Sequence, residues 1–153
     1  FQLVVLGSGD SRYEEFFSLL PKLFHDRVFF YRGYHHELSH RIEAASDIYL
    51  MPSLYEPCGL NQMYSLRYGA VPVVRRTGGL ADAVQAFDSE SLEGTGFLFD
   101  EFDSDALRAA LLQALGLYPD RQTWLRLVRN GMAQDFSWER QVGRYVELYE
   151  ALA

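Results

Sequence analysis

The sequence predicts an α/β fold, a doubly wound parallel sheet of about five or six strands with helices on both faces. Three observations predict it. Short apolar, β-branched or aromatic runs recur at residues 1 to 6, 28 to 32, 47 to 52, 71 to 74 and 96 to 99. Most are followed by a helical pattern, and each leads into glycine or polar turn residues. Such alternation is the signature of successive βα units, whose strands run parallel because each crossover helix returns the chain to the same edge.

The first run, Phe1-Gln2-Leu3-Val4-Val5-Leu6, leads into Gly7-Ser8-Gly9. This looks like the start of a dinucleotide fingerprint, but Arg12 stands where the third glycine belongs. A tight strand-to-helix turn and a close backbone approach to a nucleotide or sugar both fit. The second run, Val28 to Arg32, leads into Gly33-Tyr34. Tyr34 reads either as an amphipathic surface residue or as a flat ring on which a base stacks.

His36-Glu37-Leu38-Ser39-His40 matches the HExxH zinc pattern. On a helix, Leu38, Ile42 and Ala45 share one face, with His36 and His40 opposite. No third ligand follows, and a regular βα series is the wrong setting for a zinc protease, so no metal site is expected. A cleft-lining or solvated histidine pair is the expectation.

The third run, through Ile48-Tyr49-Leu50-Met51, passes into Ser53-Leu54-Tyr55-Glu56-Pro57-Cys58-Gly59-Leu60-Asn61-Gln62. Pro57 suits a first helical turn, Gly59 permits close approach, and the helix carrying Leu60, Met63 and Leu66 is expected to end at Gly69. Free N–H groups around Gly59 to Asn61 can hold a phosphate. A carboxylate beside that anion is repelled unless it engages sugar hydroxyls or a developing positive charge at an anomeric carbon, which singles out Glu56. The alternative is an exposed glutamate that complements the helix dipole. Cys58 reads as filler or as a small cleft residue.

The fourth run, Val71 to Val74, precedes Arg75-Arg76-Thr77-Gly78-Gly79. The two glycines make either a plain turn or a nest whose amides close on a diphosphate, with the arginines adding positive potential. After the last strand the tail is helical. Leu107, Leu111, Ala114 and Leu115 form one stripe, and Trp124, Leu127, Val128 and Gly131 another. Beyond Ser137, a plausible N-cap, Val142, Tyr145, Val146 and Tyr149 keep the helical period. In an open parallel sheet the turns at the strands' carboxyl ends line the ligand crevice.

The length of 153 residues fits one domain with a real core, and 48% apolar content with 15% aromatics excludes disorder. No apolar run has the length of a membrane span. A net charge of −7 without a basic stripe argues against a nucleic-acid partner. Charge is uneven: Asp82 to Asp105 holds eight acids and no Lys or Arg, whereas Ser53 to Leu80 holds three arginines and one acid. A single cysteine allows no internal disulfide and fits a reducing compartment. The chain begins directly inside its first strand, the expected look of an excised domain.

At these residues the chain resembles the bacterial glycogen synthase and plant starch synthase family, retaining glucosyltransferases of GT-B fold. The likeness is carried by Leu6-Gly7-Ser8-Gly9-Asp10, by Gly33-Tyr34 with Leu38, His40 and Ile42, by Ser53 through Gly69, and by Val73 through Asp82. It implies a Rossmann-like, nucleotide-sugar-binding C-terminal half spanning residues 1–153. The N-terminal acceptor domain would lie outside this chain. Glu56 would then contact the donor glucose and support its oxocarbenium-like transition state, with Cys58 lining the glucose pocket. The Leu60 and Asn61 amides would hold the distal phosphate, Tyr34 would lie against adenine, and Thr77-Gly78-Gly79 would close the phosphate-sugar wall.

The resemblance further implies transfer of glucose from ADP-glucose to the non-reducing end of an α-1,4-glucan, without a cofactor, in the cytoplasm or a plastid. Tyr64 stands where the wider superfamily has a second glutamate, which puts a two-carboxylate mechanism in doubt. The family's Arg and Lys pair on the diphosphate, and a catalytic histidine, would lie upstream, so this chain alone should not turn over. Two alternatives stay open: a transferase using another nucleotide sugar, and a homologue that binds nucleotide or glucan without catalysis.

Overall fold

The computed structural model describes residues 1–152. They divide into two compact units, Phe1–Ala45 and the chain from Ser46 onward.

In the first unit, β1 (Leu3–Gly7) and β2 (Val28–Arg32) pair in parallel, from Leu3 opposite Val28 to Gly7 opposite Arg32. The connecting helix α1 (Ser11–Leu23) starts where the Asp10 carboxylate accepts the N–H of Arg12, a side-chain cap for a donor the helix itself leaves free. Phe17 of α1 meets Phe30 of β2 with ring centroids 5.8 Å apart. Glu14 is buried because it is fully used: it accepts the Gly9 N–H at 2.8 Å and pairs with Arg32 at 2.5 Å. Helix α2 (His36–Ala45) follows β2. Its buried residue is Glu43, whereas Ala45, expected on the packed face, is exposed. The His40 ring offers Glu43 a partner at 3.1 Å, which makes the burial possible.

In the second unit, β3 (Ile48–Met51), β4 (Val71–Arg75) and β5 (Phe97–Phe99) form a parallel sheet in that order. The central strand is apolar from Val71 to Val74 because both its faces are covered there. Val71 and Val73 pack with Phe97, Phe99, Ala110, Ala114, Trp124 and Leu127, while Val74 packs with Leu80 and Val84. The first set draws on α5 (Ser104–Leu117) and α6 (Arg121–Met132), the second on α4 (Gly78–Ala83) and the residue after it. Helices therefore lie on both faces of this sheet.

Pro72 sits in the central strand without cost to the ladder. The Val71 N–H already bonds Asp47 on the β3 side, so Pro72's missing donor faces β5, whose pairing begins only at Val73 opposite Phe97. Helix α3 (Asn61–Tyr68) ends at Gly69 with φ of 87°. Only a residue free of a Cβ takes that conformation without strain. Helix α7 (Trp138–Leu152) begins with the Ser137 hydroxyl accepting the Arg140 N–H at 3.5 Å.

The five strands agree with the expected α/β class, but their hydrogen bonds divide them into a two-stranded and a three-stranded sheet. Alternation along a sequence reports that strands exist. Which neighbour each one pairs with is a long-range choice that local pattern does not encode.

Candidate functional site

In each unit the strands run parallel, so the turns at their carboxyl ends share one sheet edge. In the second unit that edge carries the segment 52–60 after β3 and the turn 76–77 after β4.

These two turns meet backbone to backbone. The Gly79 N–H donates to the Glu56 carbonyl at 2.9 Å. A Cβ on Gly78 would lie 2.0 Å from the Glu56 carbonyl oxygen, and one on Gly79 would lie 1.9 Å from that of Cys58. The glycines are thus required by contact with residues 56–58. That differs from a nest open to a diphosphate, since the Gly79 amide is already engaged. Thr77 is the N-cap residue of α4 in extended conformation, and its hydroxyl makes no cap bond.

Arg75 and Arg76 are also committed inside the protein. Arg75 donates to the Leu54 carbonyl at 2.6 Å and to the Asp100 carbonyl at 3.0 Å, with its guanidinium over Phe102. Arg76 pairs with the Asp100 carboxylate at 2.8 Å. Arg75 braces the segment before Glu56 from below instead of serving as a free anion ligand.

Helix α3 begins at Asn61, later than Pro57 would suggest, and Leu60 supplies no side-chain cap. Pro57 lies in the bend before it, and Gly59, lacking a Cβ, takes a left-handed φ of 68°. The N–H groups of Gly59 and Leu60 have no hydrogen-bond partner among the described residues. The Asn61 and Gln62 amides that follow likewise have no acceptor within the helix, and the first helical bonds run from the Met63 and Tyr64 N–H groups to the Leu60 carbonyl at 2.9 and 3.0 Å. Asn61 is held by its side-chain amide on the Tyr49 hydroxyl at 3.2 Å.

Glu56 is half-buried, and its carboxylate has no hydrogen-bond or ion-pair partner among the described residues. Cys58 is exposed. Glu56, Cys58, Gly59, Leu60, Asn61 and Thr77-Gly78-Gly79 therefore come from one pair of abutting turns. A hollow of about 470 Å³ lies beside them between α3 and α6, lined by Tyr64, Arg67, Gln134 and Phe136. It shares Leu60 with the site but not Glu56 or Thr77.

Gln62 escaped the sequence argument. Its side-chain amide donates to the carbonyls of Cys58 and Gly59, each at 2.9 Å, from a position only 1% exposed. Its Oε1 is buried with no partner among the described residues, a cost of about 1–3 kcal/mol. Little in the sequence marked it, because Gln62 shares the buried face of this short helix with a second polar residue, Ser65, beside Leu66.

In the first unit, Tyr34 is 80% exposed and its hydroxyl lies 3.5 Å from Nδ1 of His36. The His36 and His40 rings meet edge to face at 4.8 Å. Burial pushes the Glu43 carboxyl up, and the hydrogen bond and charge of His40 offset part of that rise. Among the described residues no group of three or more His, Cys, Asp or Glu is arranged to hold a metal ion. No helix among them is long and apolar enough to cross a membrane. In the Gly7-Ser8-Gly9 turn the Gly9 amide is taken by Glu14, which favours the structural reading of that motif.

Residues 1–130 match the family of glycosyl transferases group 1. The chain is 54% identical over 152 residues to a glycogen synthase of Anaeromyxobacter dehalogenans, covering 99% of this chain and 32% of that protein. It is 45% identical over 151 residues to the glycogen synthase of Bacillus anthracis, with the same shares covered. Among solved structures, the catalytic domain of starch synthase IV from Arabidopsis thaliana, bound to ADP and acarbose, superposes with a TM-score of 0.85 at 39% identity. That match covers 98% of this chain and 32% of the other. The chain thus spans about a third of the length of the relatives it matches. The likeness to glycogen and starch synthases read from the motifs extends over nearly every residue of this chain, which belongs to the glycosyl transferases group 1 family.

Proposed function

We propose that this chain is the donor-binding part of a glucosyltransferase that moves glucose from ADP-glucose to the non-reducing end of an α-1,4-glucan with retention. One observation carries this reading: an unpartnered carboxylate, Glu56, stands a few residues from unpartnered amides at Gly59 and Leu60. The amides suit the distal phosphate and the carboxylate suits the sugar, so one turn serves the two chemically opposite ends of a sugar nucleotide. ADP in the starch synthase IV structure supports an adenine nucleotide.

In this mechanism the amides of Gly59, Leu60 and Asn61 take up charge as the diphosphate departs. Stabilisation of developing charge by preorganised donors is commonly the largest catalytic contribution. Glu56 faces the anomeric centre and stabilises its positive charge, Cys58 lines the glucose, and Thr77-Gly78-Gly79 hold the Glu56 loop as the wall behind it. The acceptor hydroxyl attacks on the face the diphosphate leaves. The acceptor site lies on a part of the longer protein outside this chain. No cofactor is required.

Titration of the chain with ADP-glucose, UDP-glucose and ADP tests this. ADP-glucose should bind more tightly than UDP-glucose, and Glu56→Ala should weaken ADP-glucose far more than ADP. Transfer by the longer protein, with the anomeric configuration of the product read by NMR, tests retention. Equal loss of ADP and ADP-glucose in Glu56→Ala would refute the sugar-facing role, and absence of any nucleotide binding would overturn the assignment.

A further inference from the structure

We infer that Gln62 is a positioning residue of the donor site, an interior amide that aims the Gly59 and Leu60 N–H groups at the distal phosphate; this rests on the nucleotide-sugar reading above. The inference follows from peptide geometry. No peptide bond here is cis, and in a planar trans peptide the C=O and N–H point in opposite directions. The Cys58 carbonyl shares its plane with the Gly59 N–H, and the Gly59 carbonyl with the Leu60 N–H. Gln62 Nε2 draws both carbonyls inward at 2.9 Å. Both N–H groups are therefore turned away from the interior, and neither has a partner among the described residues.

Backbone hand makes the two amides act together. Gly59 is left-handed, with φ of 68°, and Leu60 is right-handed, with φ of −111° and ψ of −31°. Successive residues of opposite helical hand bring consecutive N–H groups into one concavity, a nest suited to an anion oxygen. The orientation of the Gln62 amide is dictated by its surroundings, because reversing it would set Oε1 against two carbonyl oxygens. Its size matters as well: a Cβ on Gly59 would lie 2.4 Å from Oε1. The Cys58 carbonyl is fixed from two sides, by this amide and by the close approach of Gly79.

Gln62→Met keeps length and removes both donors. Gln62→Glu keeps shape and replaces the donor with a buried acceptor. With ADP as the probe, Gln62→Met should bind about tenfold more weakly or worse, and Gln62→Glu weaker still. A structural role alone would lower the melting temperature without altering the bound state. The inference instead requires a changed ³¹P shift of the β-phosphorus of bound ADP, and loss of the ADP-induced shifts of the Gly59 and Leu60 amides. If the parent binds ADP and Gln62→Met binds it equally with the same ³¹P shift, the role of Gln62 is overturned and the donor-site reading stands. If the parent does not bind ADP, both fall. Should the variants fail to fold, ¹⁵N spectra of the parent decide: Gly59 and Leu60 amides that do not move on adding ADP overturn the inference.

Discussion

The backbone amide of Gly79 donates to the carbonyl of Glu56 at 2.9 Å, so two turns more than twenty residues apart in sequence are tied main chain to main chain. Gly79→Ala places a methyl 1.9 Å from the Cys58 carbonyl oxygen, and backbone cannot swing aside as a side chain can. The expected cost is about 1–3 kcal/mol of stability, the usual range for overpacking. ADP-glucose binding should fall with it, because relief must come from moving residues 56–58. Chemical denaturation and titration calorimetry check the two effects.

Gly116→Ala should do the opposite. Gly116 lies within α5 and nothing stands within 4 Å of the Cβ it lacks. Removing the helical penalty of glycine should raise stability by about 0.5–1 kcal/mol without altering nucleotide binding. An unchanged or lowered denaturation midpoint would contradict this.

Arg75→Lys should loosen the Glu56 segment. The guanidinium serves the Leu54 and Asp100 carbonyls at once, which an ammonium on a flexible stem does not reproduce. Hydrogen exchange should accelerate in residues 52–58 more than in β4, whose Val73 and Val74 stay buried. Uniform protection across both segments would show the brace to be dispensable.

Glu43→Gln should change how stability varies with pH. Burial, offset in part by His40, raises the Glu43 carboxyl above its ordinary 4.5. A raised folded value means the contribution is fully present below the unfolded value and is lost as pH rises through the folded one. The parent therefore loses stability over that window and the amide variant does not. Urea midpoints at several pH values should show the variant gaining on the parent as pH climbs above the ordinary 4.5. A constant difference would sink the assignment.

Much of the fold was legible because its determinants are local. The run Val71 to Val74 carries no polar residue, and the structure covers both faces of that strand. Gly69 ends α3 in the left-handed conformation expected of it, and Ser137 caps α7. Other expectations were displaced by contacts from afar. Pro57 suited a first helical turn, yet the helix waits until Asn61 because the chain first bends through Gly59 to meet Gly78 and Gly79. The arginine pair looked like free positive charge, and the structure spends it on the Leu54 carbonyl and on Asp100.

The sequence by itself determined the α/β class, the order of strands and helices, and the glycine turns at strand ends. These follow from side-chain periodicity and backbone freedom, which act within a few residues. Only the tertiary structure decided that the five strands pair as two sheets, that Gly78 and Gly79 exist to admit the Glu56–Cys58 backbone, and that Gln62 grips two carbonyls beneath the turn. The physical reason is common to all three. A hydrogen bond or van der Waals limit between distant segments leaves no period in the chain, and it becomes visible only when packing brings the atoms to contact distance.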